Sequence, residues 1–378
     1  MILLTGATGF IGRALGRRLR AAGRPLAVLA RGRDGADIHA RVAAALGDAA
    51  HGVEVVEGEL SAAGADLAPA TLRRLRERVD TVIHCAGDTS FAPADEMAFV
   101  GAHVAGPPAL LRALAGGRLV RWAHISTAFV CGAREGTAYE HEDDVGQAFH
   151  NIYERAKLRG EAAVRTAGAA AGVDVRVLRP SIVVGAAPTT AGGQPSNLFF
   201  AFIRLAAALA QWPDAAGARL RVAGAPRAPF NLVPLEYVVD ATLALAEHPD
   251  AAGGVFHVVV RDAPRQSLMA EMLAERLGLA GLTLLDAARD TLDDPTPLER
   301  QVARLIEPYR DYFLQNVRFD DAAAAAVLAR AEIAPPTLGP ADVGRLIDLA
   351  LLSETPSAAS RARETAASAK DQDDRQGQ

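Results

Sequence analysis

Short apolar runs alternate along the first half of the chain with stretches in which apolar positions recur every three or four residues. The first run, Ile2-Leu3-Leu4-Thr5, is followed by a stretch that puts Leu15, Leu19 and Ala22 on one face and stops at Gly23. Further apolar runs cover residues 26–30, 53–60, 81–87, 120–125 and 173–179. Runs of this length read as buried strands, and the periodic stretches between them as helices. Residues 72–78 are one such helix. Pro107 and Pro108 open another through Leu110, Leu111 and Leu114. Strand and helix in alternation predict an α/β fold built on a doubly wound parallel sheet with right-handed crossovers. The ligand crevice of such a sheet lies at the carboxyl ends of its strands.

Past Gly185 the pattern changes. Residues 186–197 form a Pro/Gly/Thr loop and 198–212 an apolar helix. A strand and helix start follow at 230–239, a last strand at 254–260, and a mainly helical stretch at 265–350. The predicted organisation is a sheet domain over 1–185, rejoined by strands near 230–260. A smaller, mainly helical substrate-binding region covers 186–352. Residues 353–378 lack apolar periodicity and read as a disordered tail. The helix from Asn197 to Trp212 is apolar on nearly every face, with Arg204 its only charge. At 1.5 Å per residue it spans about 24 Å, short of the roughly 30 Å of a bilayer core. It is expected either to be buried in the core or to wall an apolar substrate site that touches a membrane surface.

Half of the 378 residues are apolar and the net charge is −5, the composition of a globular protein. No basic stretch with interleaved aromatics points to nucleic acid. Cys85 and Cys131 are the only cysteines, too few for a disulfide framework or a zinc site, so no metal centre is expected. The N-terminus has no basic lead-in to an apolar run, and no 18 consecutive apolar residues occur, so neither a signal peptide nor a membrane span is expected. These readings together predict a cytoplasmic protein.

Two stretches carry chemistry. Gly6-Ala7-Thr8-Gly9-Phe10-Ile11-Gly12 lies between a strand and a helix. In that context glycines permit a tight turn and close approach of a pyrophosphate, while the helix N-terminus supplies N–H groups and a positive dipole end. Arg31 follows the second strand, where an acidic residue would hold a ribose hydroxyl and an arginine accommodates a 2′-phosphate. It therefore favours NADPH over NADH. The second stretch is Tyr153-Glu154-Arg155-Ala156-Lys157. Tyr153 and Lys157 share one helix face. Lysine is rare here: of 40 basic residues only Lys157 and Lys370 are lysines. An ammonium beside the phenol is expected to lower its pKa and make it a usable acid.

With these pieces placed, the chain resembles the extended short-chain dehydrogenase/reductases. The matching segments are Thr5-Gly6-Ala7-Thr8-Gly9-Phe10-Ile11-Gly12, His84-Cys85-Ala86-Gly87, His124-Ile125-Ser126-Thr127, the Tyr153/Lys157 pair and Arg179-Pro180-Ser181-Ile182-Val183-Val184-Gly185. Within that group it is similar to the fatty acyl-CoA reductase and thioester reductase branch. Arg31, Val233-Pro234-Leu235-Glu236-Tyr237-Val238-Val239-Asp240 and Pro308-Tyr309-Arg310-Asp311-Tyr312-Phe313, followed by Val317-Arg318-Phe319-Asp320, carry that likeness. The resemblance implies a Rossmann-type NADP-binding domain. In it Tyr153 is the proton donor, Lys157 orients the ribose, and Thr127, with Ser126 beside it, holds the substrate carbonyl. It implies cofactor contacts from Gly6, Thr8, Gly9, Phe10, Ile11, Gly12, Leu60, Ala86 and Gly87, and from Pro180, Ser181 and Ile182 along the nicotinamide.

Two positions depart from the family's pattern. His103 stands where Asn is usual, and Cys131 interrupts the usual Val-Tyr-Gly. A buried thiol is the ordinary reading of Cys131. The implied function is NADPH-dependent reduction of an acyl-CoA or carrier-bound acyl thioester to aldehyde or alcohol, by a monomer or homodimer with possible peripheral membrane contact. The alternatives are a reductase or epimerase of another small carbonyl or sugar nucleotide, and a non-catalytic NADP sensor.

Overall fold

The protein is seen in a computed structural model that describes residues 1–32, 37–61, 63–185, 198–212 and 217–354. Its centre is a seven-stranded sheet of β1 (Ile2–Thr5), β2 (Leu26–Ala30), β3 (Glu54–Glu57), β4 (Thr81–His84), β5 (Arg121–Ile125), β6 (Asp174–Pro180) and β7 (Val255–Val258). The order across the sheet is β3-β2-β1-β4-β5-β6-β7, and every neighbouring pair is parallel. The order reverses between β1 and β4, which opens a crevice at their carboxyl ends. Thr5 is in register with His84, His84 with His124, and Ile125 with Leu178. The loops that follow these strands therefore emerge at one level.

Side-chain alternation explains the burial of both faces. Ile2, Leu4, Val28, Ile83 and Ile125 pack on one face against Leu15, Leu19, Val42, Val238 and Leu245. Leu3, Leu29, Val82, Trp122 and Val177 pack on the other against Leu75, Leu110, Leu114 and Val164. Several elements differ from the sequence reading. Helix Ile38–Leu46 was not expected. The third strand stops at Glu57, and Glu59–Ser61 turns back as a hairpin on Gly64–Asp66.

Pro107 and Pro108 lie in the first turn of helix Gly106–Leu114, as expected, but the chain before them is also helical: Glu96–Val100 runs into it through a π-turn at Gly101–Ala105. The missing proline N–H groups leave the carbonyls of His103 and Val104 without their usual partners, and the ladder slips by one residue there. By length and composition this run is the one described helix able to cross a membrane. Phe99, Leu110, Leu111 and Leu114 place it in the core.

After Gly185 the chain builds a second core. Helix Leu198–Ala210 contributes Phe199, Phe200 and Ile203, all fully buried, against Phe230, Leu273, Phe313 and Ile347. Phe200 meets Phe10 of the glycine loop edge-on at 5.7 Å, and half-buried Phe202 lies against Phe313 at 5.0 Å. The stretch read as mainly helical also contains two short strands. Leu282–Asp286 pairs with Leu220–Gly224, and Val317–Phe319 with Gly136–Ala138. Strand Leu232–Pro234 and helix Leu235–Glu247 return to the main sheet's side. The last helix runs to Glu354, two residues into the expected tail. The loop 186–197 and residues 355–378 lie outside the described residues.

Candidate active site

The glycine loop is shaped by contacts that leave no room for a β-carbon. Gly6 has φ of 73°, and a Cβ there would lie 2.6 Å from the Ala86 nitrogen. A Cβ on Gly12 would come within 2.1 Å of the Gly6 oxygen. Gly9 caps helix Phe10–Ala21, has no side chain to offer, and the first turn carries no acid. The turn is thus a backbone cradle at a positive dipole end, which fits a pyrophosphate. Arg13, missed in the sequence, is buried beneath it and donates to the Gly9 carbonyl at 3.2 Å. No local signal set it apart, since Arg17 and Arg20 share its helix face. Thr5 joins the neighbouring strand ends. Its Oγ1 accepts from the Cys85 and Ala86 amides at 3.2 and 3.1 Å and meets His84 Nδ1 at 2.9 Å.

Helix Ile152–Ala171 begins at Asn151, whose side chain accepts from the Glu154 amide at 3.1 Å, and ends at left-handed Gly172. Its first turns carry Tyr153 and Lys157. Lys157 Nζ is buried, lies 5.9 Å from the Tyr153 ring centroid and donates to the Ile125 carbonyl at 2.8 Å. The pair is thus tied to the residue that precedes Ser126 and Thr127. The expectation of a lowered phenol pKa is corrected. Burial pushes Tyr153 up, and Cys85 and Glu154 add to the rise. Burial also lowers Lys157. At neutral pH the phenol keeps its proton.

Thr127 and Ser126 are both buried. Thr127 Oγ1 accepts from the Phe129 amide at 3.2 Å, so its own hydrogen remains to be donated. Among the described residues the hydroxyls of Ser126 and Ser181 have no hydrogen-bond partner. Cys131 is buried, and its thiol is pushed up to about 12 by burial and then by Glu154, so it is no thiolate. His103 sits in the π-turn, stacked on Phe99 at 4.4 Å, with Nδ1 3.3 Å from the Phe99 carbonyl. That contact puts the proton on Nδ1 and leaves Nε2 an acceptor, without a partner among the described residues. Burial and then the Lys157 charge push His103 down to about 3, so it is neutral. A Cβ on Gly87 would lie 3.1 Å from His103 Nε2 and 3.5 Å from Lys157 Nζ. The two nitrogens flank one spot that a side chain on Gly87 would crowd.

The other predicted residues spread along the crevice. Pro180 ends β6, Ser181 is buried beyond it, and Ile182 begins a strand paired with Leu232. Arg31 lies at the end of β2, exposed, with Nη1 3.0 Å from Glu59 Oε1. Arg41, from the unexpected helix, donates to the Arg31 carbonyl. Leu60 lies in the hairpin and packs on Gly106. The sequence also hid a buried polar knot behind Tyr153. Glu154 is fully buried and accepts from the Tyr312 hydroxyl, from the His150 amide at 3.0 Å and at His150 Nδ1 at 3.1 Å. No cluster of metal-ligating side chains occurs among the described residues.

The NAD-binding family profile described as male sterility protein matches residues 4–242, more than half of the chain. The chain belongs to the male sterility protein family. A carboxylic acid reductase of Segniliparus rugosus is 27% identical over 272 residues, which cover 65% of this chain and 23% of that protein. The chain thus spans about a quarter of that relative's length. Among solved structures, the terminal R domain from the myxalamid PKS-NRPS biosynthetic pathway superposes with a TM-score of 0.74 at 20% identity, covering 93% of this chain and 90% of that one. A thiolation-reductase di-domain from an archaeal non-ribosomal peptide synthetase gives 0.71 at 17% identity, covering 92% and 74%. Membership of this NAD-binding family makes the glycine cradle a site for a nicotinamide cofactor.

Proposed function

We propose that the chain is an NADPH-dependent reductase of acyl thioesters, carried on CoA or a carrier protein, that yields an aldehyde or alcohol. The observation that carries this reading is the Tyr153/Lys157 pair, anchored on the Ile125 carbonyl next to Thr127. The bound nicotinamide would supply the hydride. The cradle from Gly6 to Gly12 would hold its pyrophosphate, Ala86, Gly87 and Lys157 its middle, and Pro180, Ser181 and Ile182 its nicotinamide end. Reduction at a thioester carbonyl leaves an oxyanion on the substrate. Thr127 donates its free hydrogen to that oxygen, and Tyr153, kept protonated by burial, gives it a proton. Expulsion of the thiol leaves the aldehyde. The surroundings of Tyr153 are aromatic, with Phe91 at 6.3 Å and His103 at 6.1 Å, which suits an acyl group better than a sugar nucleotide. Sheet and second core then divide the work as cofactor domain and substrate region.

The test is NADPH oxidation with a panel of acyl-CoAs, acyl-pantetheines, aldehydes and UDP-sugars. Thioesters should be consumed, and turnover confined to UDP-sugars would overturn the reading. Cofactor choice has its own test. Arg31 can turn from Glu59, an exposed pair of little strength, to a 2′-phosphate. A charge-assisted contact of that kind is worth roughly 1.5–3 kcal/mol. Arg31→Ala should therefore weaken NADPH by about 10- to 100-fold and leave NADH nearly unchanged. Equal affinity of the unaltered protein for both cofactors would remove Arg31 from this role.

A further inference from the structure

The thioester reading leaves open what the acyl group lies against, and the inference here rests on that reading. Helix Leu198–Ala210 is the most apolar stretch of the chain, but Phe199, Phe200 and Ile203 are fully buried in the second core. They have no surface to give a substrate. The apolar surface beside Tyr153 comes from elsewhere. The loop after β4 leaves the crevice at Gly87 and four residues later presents Phe91. This ring is stacked on Tyr312 at 5.4 Å with an interplanar angle of 16°. It meets Tyr309 at 5.9 Å and 63°, and Tyr153 at 6.3 Å and 38°. Phe91, Tyr309 and Tyr153 are each half-buried, so these adjoining rings keep part of their surface accessible beside the phenol.

The surface is also held rigid. Tyr312 lies behind Phe91, its hydroxyl donates to Glu154, and the Asn151 amide donates to Tyr312 at 2.8 Å. Phe129 closes the far side of Tyr312 at 5.2 Å. Tyr312 belongs to the C-terminal region and Glu154 is the neighbour of Tyr153, so the ring position is fixed relative to the reacting phenol.

We propose that Phe91 is a specificity-determining residue, whose ring receives the acyl group at its carbonyl end and selects flat aryl or conjugated acyl groups over saturated ones. A flat ring completes an aromatic array at the spacings and tilts seen here, and it has few torsions to freeze. An alkyl chain gains burial but not the ring contacts.

The experiment compares benzoyl- and hexanoyl-pantetheine as substrates for the full chain with NADPH. The ratio of their kcat/KM values should favour benzoyl by about fivefold, within the range of one aromatic pair. Phe91→Leu, close in volume, should bring the ratio near one, while Phe91→Tyr should keep it. NADPH affinity should stay unchanged in both variants, and the loss of ring contacts in Phe91→Leu should lower its melting temperature by only a few degrees. A ratio at or below one in the unaltered protein, or the unaltered ratio in Phe91→Leu, overturns the proposal. If neither thioester is reduced, the thioester-reductase reading fails by itself. Calorimetric binding of the same two compounds to the protein with NADP+ then decides on Phe91: a benzoyl preference lost in Phe91→Leu supports it, and equal or absent binding overturns it.

Discussion

Tyr153→Phe should bind NADPH with nearly unchanged affinity and turn over about 10²–10⁴ times more slowly, the usual range for loss of a general acid. The variant removes one oxygen from a half-buried ring and leaves the Phe91 and His103 ring contacts in place. A fluorescence titration with NADPH separates binding from steady-state turnover. The pH profile adds a second check. Burial raises the phenol, so its acid form persists through neutral pH and beyond the ordinary tyrosine range. Burial lowers Lys157, whose charge is present below its shifted pKa and lost as pH rises through it. The first alkaline loss of activity should therefore come from Lys157, below the ordinary lysine range. Near-normal turnover in Tyr153→Phe would take Tyr153 out of the mechanism.

Lys157→Arg should be almost as damaging, with turnover down about 10²-fold or more and weaker cofactor binding. The charge is kept, but the shape is not. Nζ is a compact donor on the Ile125 carbonyl at 2.8 Å, and the space beside it ends at Gly87 and His103. A guanidinium fork in that place meets buried walls and neutral histidines: burial, ahead of the Lys157 charge, holds His84, His103 and His124 below their ordinary range. Steady-state kinetics and the NADPH titration on Lys157→Arg, with Lys157→Ala beside it, check this. Kinetics like those of the unaltered protein would take Lys157 out of the mechanism.

Most strands of the sheet could be read from the chain because they are apolar runs with both faces buried, the edge strand Glu54–Glu57 being the exception. Leu3 and Leu4 already announce the two cores they enter. The glycine loop was legible for a related reason, since steric demands at Gly6 and Gly12 admit one residue type only. Helix Ile38–Leu46 was hidden by its alanines, which give no contrast between faces. The ladders Gly136–Ala138 with Val317–Phe319 and Leu220–Gly224 with Leu282–Asp286 join short segments far apart in sequence, so no local pattern marks them. The two prolines marked the start of helix Gly106–Leu114, but nothing local showed that a π-turn joins it to the helical residues before it. The rise of the Tyr153 pKa could not be seen for a similar reason. It depends on burial supplied by distant parts of the chain, while the sequence showed only the lysine four residues away.

The loop that carries Thr127 and leads to Tyr153 is held in part by chain that follows much later. Tyr312 reaches Glu154 across 158 residues, Gln315 donates to the Gly132 carbonyl across 183, and Glu140 accepts from the Ala323 and Ala324 amides. During synthesis, β1 to β6 can pair while the chain is half made, but the wall behind Tyr153 has no material until the residues near 312–324 leave the ribosome. A nascent chain of this kind carries its cofactor cradle well before it has a finished reaction chamber.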